Sequence, residues 1–377
     1  MDLSVILTYR CDSRCSMCYI WKNPTQPEAE VTLDTLAKLP GGFDYLNITG
    51  GEPTLRRDLL QVVDLLYPKT CTLEISTNGL HVDRLLPIIR KYPNVKIRIS
   101  IEGFEATNDR IRGEKGGFHK KIDAMEKLVE AGGTDLGFAT TFQDENIDEV
   151  VDIYRLTKKL KIELATSALH NGFQFHKNDN YQYDRLRVAR RVEELIVEML
   201  KSGSVKSWFR GYLNLGLIEK ILGHDRLMPC TAGSDFIFVD PWSDVYACNV
   251  RPDLHMGNLA RQSWEEIFRG PTADEQRAKV ATCPQNCWMV ASAKTAMRNP
   301  HFAKVPKWGV LAWVLGNKLR VTLGVRVPFE RYIDYRSVPR DEKLVRRTSY
   351  LGRAEKRQVQ PAESRRYGQF EGGFFNR

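Results

Sequence analysis

The chain has 377 residues, 42% of them hydrophobic, eight cysteines and a formal net charge of +9. That is apolar material enough for one large core and a small second one, so no metal is needed merely to make up for size. The excess charge is terminal, because from Lys294 onward 19 Lys and Arg face 7 Asp and Glu and the first 293 residues stand near −3; with no recognition motif in the body of the chain, a nucleic-acid groove there is excluded. The first residues lack the basic, apolar and cleavable succession of a signal peptide, so the expected location is the cytoplasm, where eight cysteines read as metal ligands rather than disulfides.

Periodicity predicts a strand over Leu3 to Thr8, a cysteine-rich loop, and a helix over Thr32 to Lys38. Strand and helix then alternate: strand Asp44 to Thr49, helix Leu59 to Tyr67, strand Cys71 to Ser76, helix Val82 to Lys91, strand Val95 to Ile101, helix Lys120 to Ala131, strand Leu136 to Thr141, helix Ile147 to Leu160, strand Lys161 to Thr166. Six strands, each followed by a helix, make the fold class α/β, a partial (β/α)6 barrel of the TIM type with its site at the carboxyl ends of the strands. A long helix over Tyr181 to Lys201 and the Ser202-Gly203-Ser204 stop close this domain near residue 205, and 206–229, with Trp208 and Tyr212, is expected as a linker. Short strands Asp235 to Val239 and Val245 to Val250 follow around Asp240-Pro-Trp-Ser-Asp244, with Cys230 before them and Cys248 on the second, then a helix Ser263 to Phe268 and Cys283-Pro-Gln-Asn-Cys287-Trp288.

The loop after the first strand reads Cys11-Asp-Ser-Arg-Cys15-Ser-Met17-Cys18-Tyr19, three thiols and no fourth. A structural zinc site closes with four ligands, whereas a [4Fe-4S] cluster on three cysteines leaves one iron open. The spacing resembles the CxxxCxΦC signature of radical SAM enzymes, with Met17 at Φ. The resemblance implies that the open iron chelates S-adenosylmethionine, whose reductive cleavage gives a 5'-deoxyadenosyl radical that takes a hydrogen atom from substrate, with an external electron donor such as flavodoxin or ferredoxin. Gly50-Gly51-Glu52-Pro53 resembles the family's GGEP, which holds the methionine amino group: two glycines let backbone approach a ligand, and a carboxylate can receive an ammonium. Thr77 and Asn78, then Ser100 and Glu102, match its ribose contacts, Arg112 its partner for the methionine carboxylate, and Thr140 a group facing cofactor or substrate. Met17 and Tyr19 complete the cofactor contacts.

Cys230, Cys248, Cys283 and Cys287 resemble the auxiliary-cluster domains called SPASM and, shortened, twitch, over residues 230–292. Full SPASM domains need about seven cysteines for two clusters, so four imply one further [4Fe-4S] cluster; a four-cysteine zinc site is the alternative. Cys71 is expected as a core cysteine of the third strand.

Residues 293–336 form a basic, tryptophan-bearing segment whose apolar run, Lys307 to Arg320 with Trp308 and Trp313, is too short to span a bilayer. Two readings fit it: peripheral contact with a membrane or a lipid-linked substrate, or a helix docked on the barrel through its tryptophans. Residues 337–377, with Phe370, Phe374 and Phe375, are expected to be disordered. For the reaction, the first reading is oxidation of a small, sugar-like substrate with the auxiliary cluster as electron acceptor. Epimerisation of a sugar, maturation of a ribosomal peptide, and a non-catalytic electron carrier or redox sensor are the alternatives. The peptide reading is set behind the small-molecule one because the first strand starts at Leu3 and leaves no room ahead of it for a peptide-binding domain. Tyr19, His170, His176 and Tyr212 are the candidate proton or hydrogen carriers.

Overall fold

The computed structural model describes residues 1–298 and 307–338. The alternating apolar runs become β1 (Asp2–Ile6), β2 (Tyr45–Thr49), β3 (Leu73–Thr77), β4 (Lys96–Ser100), β5 (Leu136–Phe142) and β6 (Glu163–Ala168). All pair parallel with their sequence neighbours. The crossovers are α1 (Leu33–Ala37), α2 (Leu59–Leu66), α3 (Val82–Lys91), α4 (Glu105–Arg112) with α5 (Gly117–Glu130), and α6 (Val150–Lys159). The longer helices lay an apolar stripe on the sheet; Leu85, Ile88 and Ile89 of α3, for example, are fully buried.

The amino ends of these strands are closed by charge. Arg98 of β4 is buried with Asp135 at 2.5 Å, Glu163 at 3.1 Å and Glu74 at 3.7 Å. Arg210 and Lys206 each reach Glu163 at 2.6 Å, and Asp2, also buried, meets Arg298 at 2.7 Å. The plug leaves the opposite end as the place for a site.

After the barrel come α7 (Arg185–Lys201) and α8 (Val205–Leu222), packed as a helical hairpin. The expected linker is therefore mostly helix. Its apolar residues Leu215, Leu217, Ile218 and Leu222 are buried, so it carries core rather than spanning solvent. Next stand β7 (Phe236–Val239), β8 (Asp244–Tyr246) and β9 (His255–Asn258), followed by α9 (Trp264–Arg269), α10 (Pro271–Ala281), α11 (Val290–Arg298) and α12 (Lys307–Thr322).

β7 pairs parallel with β1, Asp2 lying beside Phe236 and Val5 beside Val239, and then turns into the antiparallel β8 and β9. The result is one open nine-stranded sheet in the order β6-β5-β4-β3-β2-β1-β7-β8-β9. The cysteine-bearing hairpin thus shares the barrel's sheet instead of standing apart from it. α8 ties the two parts again: a Cβ on its Gly216 would stand 2.1 Å from the ring of Trp288, whose Nε1 donates to Leu213 O at 2.8 Å.

α12 docks on α7 and α8, as the second reading of that segment expects. Trp313 is buried edge-on to Tyr212 at 5.4 Å, and Lys318 donates to the carbonyls of Leu200 at 2.9 Å and Ser202 at 3.2 Å. The Trp308 side chain and all but two residues of 337–377 lie outside the described residues. No helix among the described residues is long and apolar enough to cross a membrane.

Candidate active site at the carboxyl ends of the strands

β1 ends in the cysteine loop, which is clamped from two sides. On one side Gly51 N donates to Thr8 O at 2.7 Å and Glu52 N to Arg10 O at 2.8 Å. Here the sequence expectation is revised: the two glycines admit the protein's own backbone. A Cβ on Gly51 would lie 2.2 Å from the Arg10 oxygen and one on Gly50 2.7 Å from that of Thr8. On the other side Arg14 N and Ser16 N donate to the last carbonyls of α4, Arg112 at 2.9 Å and Ile111 at 2.8 Å. Gly113 ends α4 at φ +65° with the Arg14 oxygen 2.7 Å from where its Cβ would stand. Arg10 itself is held by a bidentate pair with buried Glu30, both contacts 2.9 Å.

This predicts a sharp result. Gly51→Ala forces the Cys11 loop off the β2 turn, and about half of the iron taken up on anaerobic reconstitution should be lost. Wild-type iron content in that variant would show that the loop yields without cost.

Glu52 is fully buried, yet its carboxylate is already engaged. Oε1 accepts from Thr54 N at 3.0 Å, Thr54 Oγ1 at 2.6 Å and Thr77 Oγ1 at 2.8 Å, and Oε2 from Asn78 N at 2.6 Å. It staples the β2 turn to the end of β3, whereas the sequence suggested a carboxylate waiting for an ammonium. Asn78 likewise works within the protein, donating to Asp12 at 2.7 Å and Ser13 at 2.9 Å in the cysteine loop. Ser13 also donates to Glu114, which is paired with buried Lys121. Sequence reading missed Ser13, Glu30, Glu114 and Lys121, whose only signal is proximity in the fold.

The three thiols sit close enough to act on one another, and burial is the chief cause raising the pKa of Cys11, Cys15 and Cys18, the last to about 12, while Arg112 pulls each down. Arg112 is buried between Glu102 at 3.5 Å and Glu114 at 3.7 Å, with its Nε lacking a hydrogen bond. Glu102, whose pKa burial lifts to about 7, accepts from Thr141 N at 2.9 Å. Thr140 Oγ1 is buried with no hydrogen-bond partner and Ser100, at the end of β4, is half-buried. Three thiols, a buried guanidinium and orphaned polar atoms at one end of the sheet fit a [4Fe-4S] cluster carrying a polar, zwitterionic ligand.

The segment after β6 covers the loop. Phe175 O accepts from Tyr19 N at 2.8 Å, Asn180 Nδ2 donates to Met17 O at 3.0 Å, and Met17 Sδ meets Gln143 Nε2 at 3.2 Å. The Tyr19 ring lies between the ammonium groups of Lys22 at 3.8 Å and Lys177 at 4.1 Å. His170 is buried against Ala168 O at 3.2 Å and its pKa falls to about 3 through desolvation; His176, lowered to about 4 the same way, packs edge-on to Tyr9 at 5.0 Å. Both imidazoles are neutral near pH 7. Tyr212 lies in the α8–α12 interface, apart from the cysteine loop.

Cys71 is exposed, contrary to expectation, since β3 begins only at Leu73 and Cys71 N bonds Phe43 O in the turn before it. It stands at the amino end of the sheet. β8 stops at Tyr246, so Cys248 follows that strand rather than lying on it. Cys230, Cys248, Cys283 and Cys287 nevertheless draw together: Cys248 feels Cys287 and Cys230, and Cys287 feels Cys230 and Cys283. Arg251 donates to Cys283 Sγ at 3.3 Å, Val250 N to Cys248 Sγ at 3.2 Å, and Arg226 to the Cys287 carbonyl. Four thiols with cationic neighbours fit a cluster whose irons are all protein-bound. Among the described residues no three His, Cys, Asp or Glu side chains close on a single metal-ion position; the case for clusters rests on the number and chemistry of the thiols.

Comparison with known proteins agrees. Residues 5–157 match the radical SAM superfamily, and residues 230–289 match SPASM, an iron-sulfur cluster-binding domain. Mycofactocin maturase MftC of Mycolicibacterium smegmatis is 26% identical over 296 residues, 74% of either chain. Sporulation killing factor maturation protein SkfB of Bacillus subtilis is 32% identical over 178 residues, 43% of either chain. Among solved structures, Streptococcus suis SuiB bound to precursor peptide SuiA superposes with a TM-score of 0.54 at 14% identity, covering 74% of this chain and 66% of that one.

Proposed function

Because the chain is a radical SAM protein with an SPASM domain behind its barrel, we propose that it is a peptide maturase, which takes a hydrogen atom from a residue of a ribosomally made precursor. The observation that carries this is the alignment with a maturase across 74% of both chains, too long to be confined to the barrel. The second relative is also named for maturation, and the superposed SuiB structure holds a precursor peptide. The sugar-like small molecule of the first sequence reading gives way accordingly.

When bound, the barrel cluster and S-adenosylmethionine supply the 5'-deoxyadenosyl radical, on electrons from a donor such as flavodoxin or ferredoxin. The chain's part is placement. Cys11, Cys15 and Cys18 would hold the barrel cluster, and Cys230, Cys248, Cys283 and Cys287 the auxiliary one. Arg112, whose Nε stands 3.7 Å from Glu114 without a hydrogen bond, is placed to meet a carboxylate; Ser100, Glu102 and Thr140 offer the polar groups around the adenosine; the backbone of Gly50 to Pro53 would receive the amino group, since the Glu52 carboxylate is occupied within the loop. Met17, Tyr19 and the segment over them exclude water from that end. A non-catalytic electron carrier has no need of this set.

The test is to incubate the reduced, anaerobically reconstituted protein with S-adenosylmethionine and the small peptides encoded beside its gene, reading peptide mass and 5'-deoxyadenosine. A peptide that changes mass in step with 5'-deoxyadenosine is expected. 5'-Deoxyadenosine formed with every peptide unchanged, but in step with conversion of a polyol, would return the small-molecule reading.

A further inference from the structure

α12 has two apolar faces, and docking accounts for one of them. Val310, Trp313 and Val314 are buried against α7 and α8. On the other side Leu315, Leu319 and Leu323 rise one turn apart at 50%, 58% and 68% exposure, and Val325 follows at 47%. A helix docked on a protein body normally turns polar residues outward. The segment itself is cationic, with no Asp or Glu between Glu275 and Glu330 and with Lys307, Lys318, Arg320 and Arg326 in or just after the helix. Lys318 is spent on the carbonyls of Leu200 and Ser202 and Arg326 pairs with Glu330, while the α7 glutamates that border the groove beside Val325, Glu193, Glu194 and Glu198, are each paired with a cation, Arg190, Arg191 and Lys201. Arg320 and Arg331 make no ion pair among the described residues. The sequence from Lys294 on, with 19 basic residues against 7 acidic, extends the same sign.

We propose that the outer face of α12 docks on an anionic membrane surface. The helix of 16 residues is about 24 Å long and carries its leucines in a single row, so it lies in the plane of the interface. The row enters the acyl boundary and the flanking cations meet lipid phosphates, each cation near the surface adding attraction that salt screens. Charge decides the occupant: a second copy would bring this cationic rim against itself, and the chain's own tail, basic as well, would do the same.

The full chain is tested by flotation with vesicles of equal parts phosphatidylglycerol and phosphatidylcholine, and with phosphatidylcholine alone. Partition onto the anionic vesicles, falling as salt rises, is expected. The triple variant Leu315→Glu, Leu319→Glu, Leu323→Glu should bind about tenfold more weakly or worse, with its unfolding midpoint and 5'-deoxyadenosine formation unchanged. Three outcomes overturn the proposal: no partition of the folded wild type, equal partition of the triple variant, or partition that appears only when residues 339–377 are removed, which would mean that the chain covers this face itself.

Discussion

Replacing Cys11, Cys15 and Cys18 together by Ala is expected to abolish cleavage of S-adenosylmethionine and to cut bound iron from about eight per chain to about four. No other thiol can stand in, because Cys71 is exposed at the amino end of the sheet and the remaining four are gathered behind β7 and β8. The fold should survive, since the loop is clamped by Glu30, Glu52, Asn78 and the end of α4 through backbone and side chains that the substitutions leave in place. Iron analysis with a 5'-deoxyadenosine assay reads both parts. Four irons in the wild type and none in the variant would mean that the auxiliary thiols hold zinc or nothing.

Arg98→Ala should be the most damaging single change to stability, about 3–5 kcal/mol by chemical denaturation, because it leaves Glu74, Asp135 and Glu163 crowded around a lost buried cation. The pH dependence follows from sign. In the folded protein Asp135 and Glu163 sit below the ordinary carboxylate range: burial opposes this but is outweighed, for Asp135 chiefly by Arg98 and for Glu163 chiefly by Arg210 with Arg98 and Lys206. Their stabilisation is therefore full above about pH 5 and drains away as pH falls through the lowered values. The gap between wild type and variant should be widest near neutrality and narrow in acid. A gap constant from pH 7 to pH 3 would rule out the ion network as its source.

What the sequence made legible was whatever local pattern decides. Six strands and the cysteine spacing came from period and motif, and each strand falls within two residues of its expected bounds at most ends. Side-chain roles set by distant partners were hidden. The motif marks Glu52 and Asn78 as cofactor contacts at strand ends, and nothing local says that they also satisfy each other. α4 is short and polar, so its 3.6-residue period was too weak to find. α8 reads as a linker because its apolar residues run around the helix, a pattern that makes sense only when α7, β6 and α12 surround it. Cys71 lies at an edge: its apolar neighbourhood in sequence suggests burial, and a strand that starts two residues later leaves it in solvent.

The pairing of β1 with β7 also governs how the molecule comes into being. Asp2 must find Phe236, so the strand bearing the cysteine loop keeps a bare edge through the synthesis of everything between them, and this long-range closure belongs to the slow class of β contacts. A nascent chain stalled or cleaved before β7 would present that edge, with three unshielded thiols beside it, to any passing strand or oxidant. Cluster loading is best timed after β7 has emerged and paired with β1.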